Sequence, residues 1–316
     1  MNGLNWLDQF IEVLVALAAA PLLLGWVNKC RAWLQNRSSP SLLQPYRGIR
    51  KLLHKDAVLA HNASSLFRIA PYVIFGTMVA AAAMIPILGT RLPFSVAADA
   101  IALVGLFAAA RMFLSLAAMD VGTAFGTLGA RREMMVGFLA EPALLMVIFV
   151  ASLMTATTAL PLISEHLAAT QLAIHPSLLF TAVAFSMVML AENARIPVDN
   201  PATHLELTMI HEAMLLEYSA RHLALMEWAA ALKLFNYACI GLALFVPWGL
   251  SPDGHPLSLG LAIVLLAFKL TVIGAGLALV ETLSANLRVF RAPEFLATAF
   301  LLAVLGLLVH LLQVAR

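Results

Sequence analysis

The sequence predicts an all-α, polytopic membrane protein with about eight transmembrane helices, on the basis of its composition and its recurring apolar runs. Hydrophobic residues make up 62% of the 316 residues and charged residues only 11%, whereas soluble domains carry about 25% charged residues. Mean hydropathy is +0.92. Runs of about 20 apolar residues, the length that crosses a bilayer as a helix, recur along the chain. Residues 1–316 are therefore expected to form a single integral membrane domain.

Eight apolar segments qualify as membrane spans, and the segment 176–191 is the shortest of them. The stretch ALAAAP at 16–21 resembles a signal-peptide cleavage site, but Asp8 and Glu12 precede it without any Lys or Arg. Because the basic n-region of a signal peptide is missing, the first span is expected to remain in the protein. The segments lie approximately at 10–27, 69–89, 97–118, 138–161, 176–191, 229–249, 257–282 and 294–313.

The distribution of Lys and Arg predicts the orientation of the spans. Loop 28–68 contains eight basic residues, and loops 119–137, 192–228 and 283–293 contain two each. The alternate side has only Arg91 and Arg316. The positive-inside rule therefore predicts that these four loops are cytoplasmic and that the N- and C-termini lie outside. The protein is expected in the cell inner membrane.

Two cysteines, Cys30 and Cys239, stand far apart and neither belongs to a C-x-x-C pair. Such a pair of cysteines can build neither an iron–sulfur site nor a disulfide framework. Any redox cofactor is therefore expected in a partner, and no metal ligands are expected in this chain.

The segment SLLQPYRGIRKLLHKD, residues 41–56, predicts an amphipathic helix in the first basic loop. Pro45 suits the first turn of a helix, and apolar and basic residues fall on separate stripes. The apolar stripe consists of Leu42, Tyr46, Ile49 and Leu53, and the basic stripe of Arg47, Arg50, Lys51 and His54. Two interpretations stay open: a helix lying on the anionic lipid leaflet, or a docking helix for a soluble partner.

The stretch AENARIPVDNPATHLEL, residues 191–207, concentrates ionisable residues at the end of an apolar span. A solvated helix beginning near Pro201 explains most of them. It would place Glu206, Ile210, Ala213 and Glu217 on one face and His204, Thr208 and His211 on a nearly opposite face. That helix does not explain Glu192, because a charge deep in a span costs about 2.5–3.5 kcal/mol.

Further ionisable residues lie within or at the ends of spans: Arg111, Glu141, Lys233, Lys269 and Glu281. Interhelical ion pairing or snorkelling explains such residues structurally, and Lys233 is interpreted in that way because it lies near the end of a predicted span. Lys269 is at mid-span, where snorkelling is difficult. The alternative is a buried polar path in which desolvated carboxylates carry protons.

Several stretches resemble the family of H-type membrane subunits of NADH-quinone oxidoreductase. AENARIPVD at 191–199 is similar to the family signature A-E-x-x-R-x-P-x-D. Within that superfamily, IPVDNPATHLELTMIHEAMLLEYS at 196–219 more closely resembles the membrane subunits of hydrogenase-4 and formate hydrogenlyase-type complexes, of the component C type. Four further stretches agree in order: LLQPYRGIRKLL, GTLGARREMMVGFLAEP, EYSARHLALMEWAAALKLF and FKLTVIGAGLALVETLSANLRVF.

The resemblance implies a non-catalytic membrane anchor that couples electron transfer to proton movement. The implied partners are a soluble iron–sulfur subunit and a hydrogenase-like large subunit, carrying 4Fe-4S clusters and a NiFe centre, together with antiporter-like membrane subunits and lipid; nucleic acid is not expected. Arg195 and Arg111 are expected in ion pairs, and Arg47, Arg50 and Lys51 in docking. The expected proton pathway comprises Glu192, Asp199, Glu206, Glu217, Glu141, Glu281 and Lys269.

Three alternatives stay open. The chain differs from the quinone-reducing, respiratory members of this family in a diluted acidic run after Asp199 and a longer stretch before EYS, and Ala220 stands where the family usually has glycine. The diluted acidic run and the longer stretch favour the hydrogenase type over a quinone-reducing complex, which uses the same scaffold. A stand-alone transporter would also carry intramembrane charges, but the sequence shows no internal repeat typical of that class. An anchor without a coupling role is the third alternative.

Overall fold

The computed structural model describes residues 3–90, 93–96, 98–169, 176–195, 198–199, 210–250, 256–284 and 291–314. Within those ranges the chain forms eleven α-helices and one short 3-10 helix at Pro93–Val96. The α-helices are α1 (Gly3–Leu34), α2 (Gln44–Leu53), α3 (Ser65–Met84), α4 (Ala100–Asp120), α5 (Ala124–Thr155), α6 (Leu160–Ala169), α7 (Pro176–Glu192), α8 (His211–Leu215), α9 (Ala220–Phe245), α10 (Pro256–Leu283) and α11 (Ala292–Val314).

Seven helices of the described chain are long and apolar enough to cross a membrane: α1, α3, α4, α5, α9, α10 and α11. The apolar helix α7 has 17 residues and coincides with the segment predicted to be the shortest span. The structure confirms the predicted polytopic all-α class. The orientation of the termini stays a prediction.

Several helices continue beyond their predicted spans into the predicted basic loops, and α5 and α1 are two of them. Helix α5 begins at Ala124 and has 32 residues, so most of the predicted loop 119–137 is helical. Helix α1 also has 32 residues and ends at Leu34. At 1.5 Å per residue each is about 48 Å long, which exceeds the hydrocarbon core of about 30 Å. Charged residues such as Arg and Glu are good helix formers, so their appearance does not end a helix.

The predicted amphipathic helix is present as α2, and it packs against α1 and α9. Ile49 is buried, and the phenol of Tyr46 donates a hydrogen bond to the carbonyl oxygen of Ala18 in α1. The segment before α2 passes so close to Gly25 of α1 that a Cβ there would overlap the backbone of Leu42. The basic side chains Arg47, Arg50 and Lys51 are exposed, and so is Leu53, which the helical periodicity places on the apolar stripe.

Helix α9 occupies the centre of the bundle. In its most apolar stretch 72% of the residues are buried, compared with 28% in α10 and 22% in α11. Tyr237 of α9 is fully buried and stacks on Phe107 of α4, with ring centroids 4.8 Å apart. The outer helices α10 and α11 instead expose large apolar side chains, such as Phe268 and Leu301, as expected of surfaces that meet lipid or other membrane helices.

The predicted helix from Pro201 through Glu217 is wrong at its C-terminal end. Helix α8 ends at Leu215, and α9 begins only at Ala220. Glu217 therefore lies in the turn between the two helices, and it is exposed. Glu206 and the predicted face of His204 and Thr208 lie outside the described residues.

Tertiary contacts explain why the helix stops. Tyr218 stacks on Phe67 of α3 and donates a hydrogen bond of 3.1 Å to its carbonyl oxygen. The hydroxyl of Ser219 donates to the carbonyl oxygen of Val58 and accepts from its N–H. Ala220 adopts the left-handed conformation with a φ of 49°, which explains why glycine is usual at this position in the similar family. These contacts override local helix propensity.

Candidate functional site: a buried ion cluster beside an open cleft

A cluster of five charged side chains lies inside the bundle, where four helices meet. Arg111 of α4, only 6% exposed, is its centre. The guanidinium contacts Glu192 of α7, lies 2.8 Å from Glu141 of α5, and lies 3.6 Å from Glu133 of the same helix. Lys233 of α9 completes the cluster, since its ammonium nitrogen is 3.0 Å from Glu192. We call these five residues the ion cluster.

Both cations of the ion cluster lie in the middle of membrane-length helices. Arg111 is near the middle of α4 and Lys233 near the middle of α9. Gly137 makes room for the arginine, because a Cβ at that position of α5 would overlap the guanidinium and come within 2.7 Å of the Arg111 Cδ atom. A glycine inside a helix costs about 0.5–1 kcal/mol relative to alanine. Here it allows Arg111 to lie across α5 and reach acids on two helices.

The charges of the ion cluster are not balanced. Three carboxylates face two cations, which leaves one excess negative charge among the described side chains. Glu192 has a side chain 1% exposed and is held by both cations, whereas the side chain of Glu141 is 36% exposed. Buried charges are tolerated only when they are paired. Arg111 bridges the enclosed acid and the accessible one, so a change at either carboxylate is felt at the other.

A second ion-pair group surrounds Glu281 of α10, which is 3% exposed. Its carboxylate lies 3.1 Å from Arg195, just after α7, and 3.5 Å from Arg31 of α1. Nearby, Asp199 is also buried and accepts backbone hydrogen bonds from Ile210 (3.4 Å) and His211 (3.2 Å) at the start of α8. This group fastens the irregular segment after α7 to its neighbours.

An open cleft of about 760 Å³ lies between these groups and the end of the bundle that carries α2. Its ionisable lining residues are Arg31, Arg195, Asp199, His211, Glu212, Tyr218 and Glu227. A smaller cavity of about 40 Å³ lies behind it, lined by three members of the ion cluster, Arg111, Glu133 and Lys233. That volume accommodates a water molecule. The two spaces share a wall formed by His211, Leu215 and Ala230.

The structure brings most of the sequence-predicted site residues together. Glu192, Glu141 and Arg111 belong to the ion cluster, and Glu281, Arg195 and Asp199 lie at the cleft. Both arginines form ion pairs in the structure. Whether the acids conduct protons stays a prediction.

Two predicted pathway residues lie apart from the others. Glu217 is exposed in the turn before α9. The ammonium of Lys269 donates to the carbonyl oxygen of Val246, at 2.7 Å, and to that of Trp248. These carbonyls follow the C-terminal end of α9, where backbone acceptors lack helical partners and a positive charge is favoured. Lys269 therefore caps a helix at the end opposite the cleft.

Two members of the ion cluster are absent from the sequence-predicted pathway. For Lys233 the sequence indicates interhelical ion pairing or snorkelling near a span end; in the structure the residue lies at mid-helix and forms an ion pair with Glu192. Glu133 falls in a predicted loop that is helical in the structure. A signal for Glu133 is present: in a continuous helix Glu133, Gly137 and Glu141 follow one another at spacings of four and share a face.

A further buried acid is Glu12 of α1. In the sequence this residue serves only as an argument against a signal peptide, and its structural role is not predicted. Its side chain is fully buried, and its Oε1 atom accepts hydrogen bonds from the N–H groups of Ile87 (2.6 Å) and Leu88 (2.8 Å). Three residues earlier, Gln9 donates to the carbonyl oxygen of Ala83. Glu12 and Gln9 thus hold the chain where it leaves α3, and neither residue is a member of the ion cluster.

A comparison with known protein families gives a match that covers nearly the whole chain. Residues 9–312 match the NADH dehydrogenase family. The chain belongs to the NADH dehydrogenase family. The match extends over nearly the whole sequence and includes every member of the ion cluster and of the Glu281 group, so the site described above lies within the family domain.

Two proteins of Escherichia coli (strain K12) are similar to this chain over most of its length. Formate hydrogenlyase subunit 4 is 33% identical over 294 residues, which cover 93% of this chain and 95% of that protein. Hydrogenase-4 component C is 31% identical over 262 residues, which cover 83% of this chain and 80% of that protein.

The fold also matches a solved structure. A chain of the membrane-bound sulfane sulfur reductase, an archaeal respiratory membrane complex, superimposes with a TM-score of 0.82 and 18% sequence identity. The superposition covers 96% of this member of the NADH dehydrogenase family and 98% of the other chain. The agreement shows that the two chains share one fold.

Proposed function

We propose that this chain is the membrane-anchor and proton-coupling subunit of a hydrogenase-type complex of the inner membrane, of hydrogenase-4 or formate hydrogenlyase type. The similarity to two Escherichia coli proteins of those names, over 93% and 83% of the chain, supports the type of complex. The observation that carries the coupling role is the ion cluster, in which three carboxylates surround Arg111 at the centre of the bundle.

Competition for Arg111 gives the ion cluster a mechanism for proton coupling. Protonation of Glu141, the more accessible acid, removes one of the charges that hold the guanidinium. The guanidinium then pairs more closely with Glu192, and loss of that proton reverses the change. The excess of carboxylates over cations means that one acid can hold a proton without leaving a cation unpaired, which is the requirement for a carrier at low dielectric.

The experiment that tests coupling replaces Glu192 by Gln in the intact complex. Glutamine keeps the size and hydrogen-bonding capacity of the side chain but not its titratable proton. In inverted membrane vesicles supplied with a low-potential electron donor, Glu192→Gln is expected to keep hydrogen evolution and lose vesicle acidification. Glu217→Gln is the matched control, because Glu217 is exposed and apart from the ion cluster. Normal acidification by assembled Glu192→Gln would leave Glu192 a structural role.

The soluble arm, with its 4Fe-4S clusters and NiFe centre in iron–sulfur and hydrogenase-like subunits, would dock beside the cleft on the face that carries α2. Arg47, Arg50 and Lys51 are exposed there. Reversing all three to Glu is expected to release the arm while the chain stays in the membrane, since like charge at a polar rim opposes association. Replacing the two arginines by Lys keeps the charge and is expected to retain the arm. If the variant with three Glu residues still retains the soluble arm, α2 is not a docking helix and the lipid-surface interpretation stands.

A quinone-reducing complex is the second candidate, and the size of the cleft favours it. Small-molecule sites typically have volumes of about 300–1,000 Å³, and the cleft has about 760 Å³. The intact complex, given a low-potential donor with either protons or a soluble quinone, separates the candidates. Hydrogen evolution that quinone-site inhibitors do not affect is the expected result. Inhibitor-sensitive quinone reduction without hydrogen would establish the second candidate instead.

A further inference from the structure

We propose that His211 transfers protons between the open cleft and the ion cluster. Of the three residues that the walls of the cleft and the small cavity have in common, Leu215 and Ala230 are apolar, and only His211 can accept and donate a proton. The inference rests on the proposed proton-coupling function and adds the residue through which the ion cluster exchanges protons with the cleft.

The position of His211 is fixed by contacts on both sides of α8. Its backbone N–H donates a hydrogen bond of 3.2 Å to the carboxylate of the buried Asp199. On the other side, α8 lies directly on the backbone of α5 at Gly129, where a Cβ would come within 2.8 Å of the carbonyl oxygen of Ile210 and 3.1 Å of Met214. The backbone of His211 is therefore fixed beside the wall that the two spaces share, which the residue lines on both sides.

Charged groups face His211 from each side of this wall. Arg111 of α4, Glu133 of α5 and Lys233 of α9 line the small cavity with it. The cleft side contributes Arg31, Arg195, Asp199, Glu212 and Glu227. Burial lowers the pKa of His211 below its usual value of 6.5, the carboxylate of Glu133 opposes that change, and the ammonium of Lys233 adds to it.

A neutral imidazole is suited to this transfer because one ring nitrogen accepts a proton while the other already carries one. A hydronium ion in the cleft gives its proton to the free ring nitrogen and becomes water. The imidazolium then releases the proton of its second nitrogen to the Glu133 carboxylate or to a water in the small cavity. Exchange of the ring proton between the two nitrogens restores the starting tautomer, and the reverse sequence carries a proton outward.

Chemical rescue tests the inference. In inverted vesicles with a low-potential donor, His211→Ala is expected to slow acidification by about 100-fold, the typical contribution of one proton-transfer group. Added imidazole is expected to restore part of the rate, because it can enter the open cleft and reach the space left by the side chain. The matched control is His222→Ala, since His222 is also a buried histidine but lines neither of these two spaces. Imidazole takes up protons in the vesicle lumen, so it should change the rate of this control only as much as it changes that of the native complex.

His211→Gln fills the same space without a titratable ring and serves if the alanine variant does not assemble. His211→Gln is expected to slow acidification. It should also abolish the change in acidification rate that titration of His211 produces below pH 6.5 in the native complex. An assembled variant with normal acidification, or a slow alanine variant that imidazole does not rescue, would overturn the role of His211. If the His211 variants give such a result while Glu192→Gln loses acidification, only the role of His211 is overturned. If Glu192→Gln also acidifies the vesicles at the normal rate, the proposed function itself fails.

Discussion

Replacing Arg111 by Met is predicted to be among the most destabilising single changes in the bundle. Methionine retains an apolar stem but removes the cation that contacts Glu192, Glu141 and Glu133. Lys233 alone would then face three carboxylates, so the excess negative charge of the ion cluster rises by one. The side chain of Arg111 is only 6% exposed, so solvent does little to screen the loss. Breaking a buried ion pair by removing one partner costs about 3–5 kcal/mol.

The measurement is the free energy of unfolding of the purified chain in mixed micelles, made for a double-mutant cycle. Adding Glu192→Gln to Arg111→Met removes one carboxylate and returns the ion cluster to its native charge excess. The double variant is therefore expected to be more stable than Arg111→Met alone. Strictly additive losses, or a loss below about 1 kcal/mol for Arg111→Met, which is typical of an exposed pair, would refute the charge balance described above.

Three further predictions concern other parts of the molecule. Gly137→Ala should displace the Arg111 guanidinium and destabilise the chain, although alanine favours helix elsewhere; a gain in the free energy of unfolding would contradict this. Glu12→Ala leaves two backbone N–H groups unpaired, at about 1–3 kcal/mol each, whereas Glu12→Gln keeps an acceptor, and equal stability of the two variants would argue against that role. Reporter fusions after Asn62 should report cytoplasm and those after Gly254 the outside, and the opposite result would reverse the predicted orientation.

The fold class and much of the site can be predicted from the sequence because both depend on strong local signals. Apolar runs long enough to cross a bilayer leave no soluble alternative. Glu192 and Arg111 can be singled out by their cost within a span, and the structure pairs them. The amphipathic helix α2 is also predictable, since separate apolar and basic stripes need only helical periodicity.

Helix ends and partner choice are decided by tertiary contacts. Periodicity places Glu217 on the helix after Pro201, but the contacts of Tyr218 and Ser219 end α8 before that residue. The mid-span position of Lys269 suggests the proton pathway, but the unpaired carbonyls beyond α9 hold its ammonium at the other end of the bundle. Neither outcome can be predicted from periodicity, because both depend on segments distant in sequence.

Hydropathy and charge are properties of each segment alone, so they are enough to predict a multi-helix membrane protein with a costly set of intramembrane charges. Which of these charges share a site depends on how the helices pack. Four helices bring Arg111, Lys233 and three acids together, and Gly137 provides the space for the guanidinium. Side-chain pairing in a low-dielectric interior depends on distances of a few ångströms, and those distances are fixed only when the helices pack.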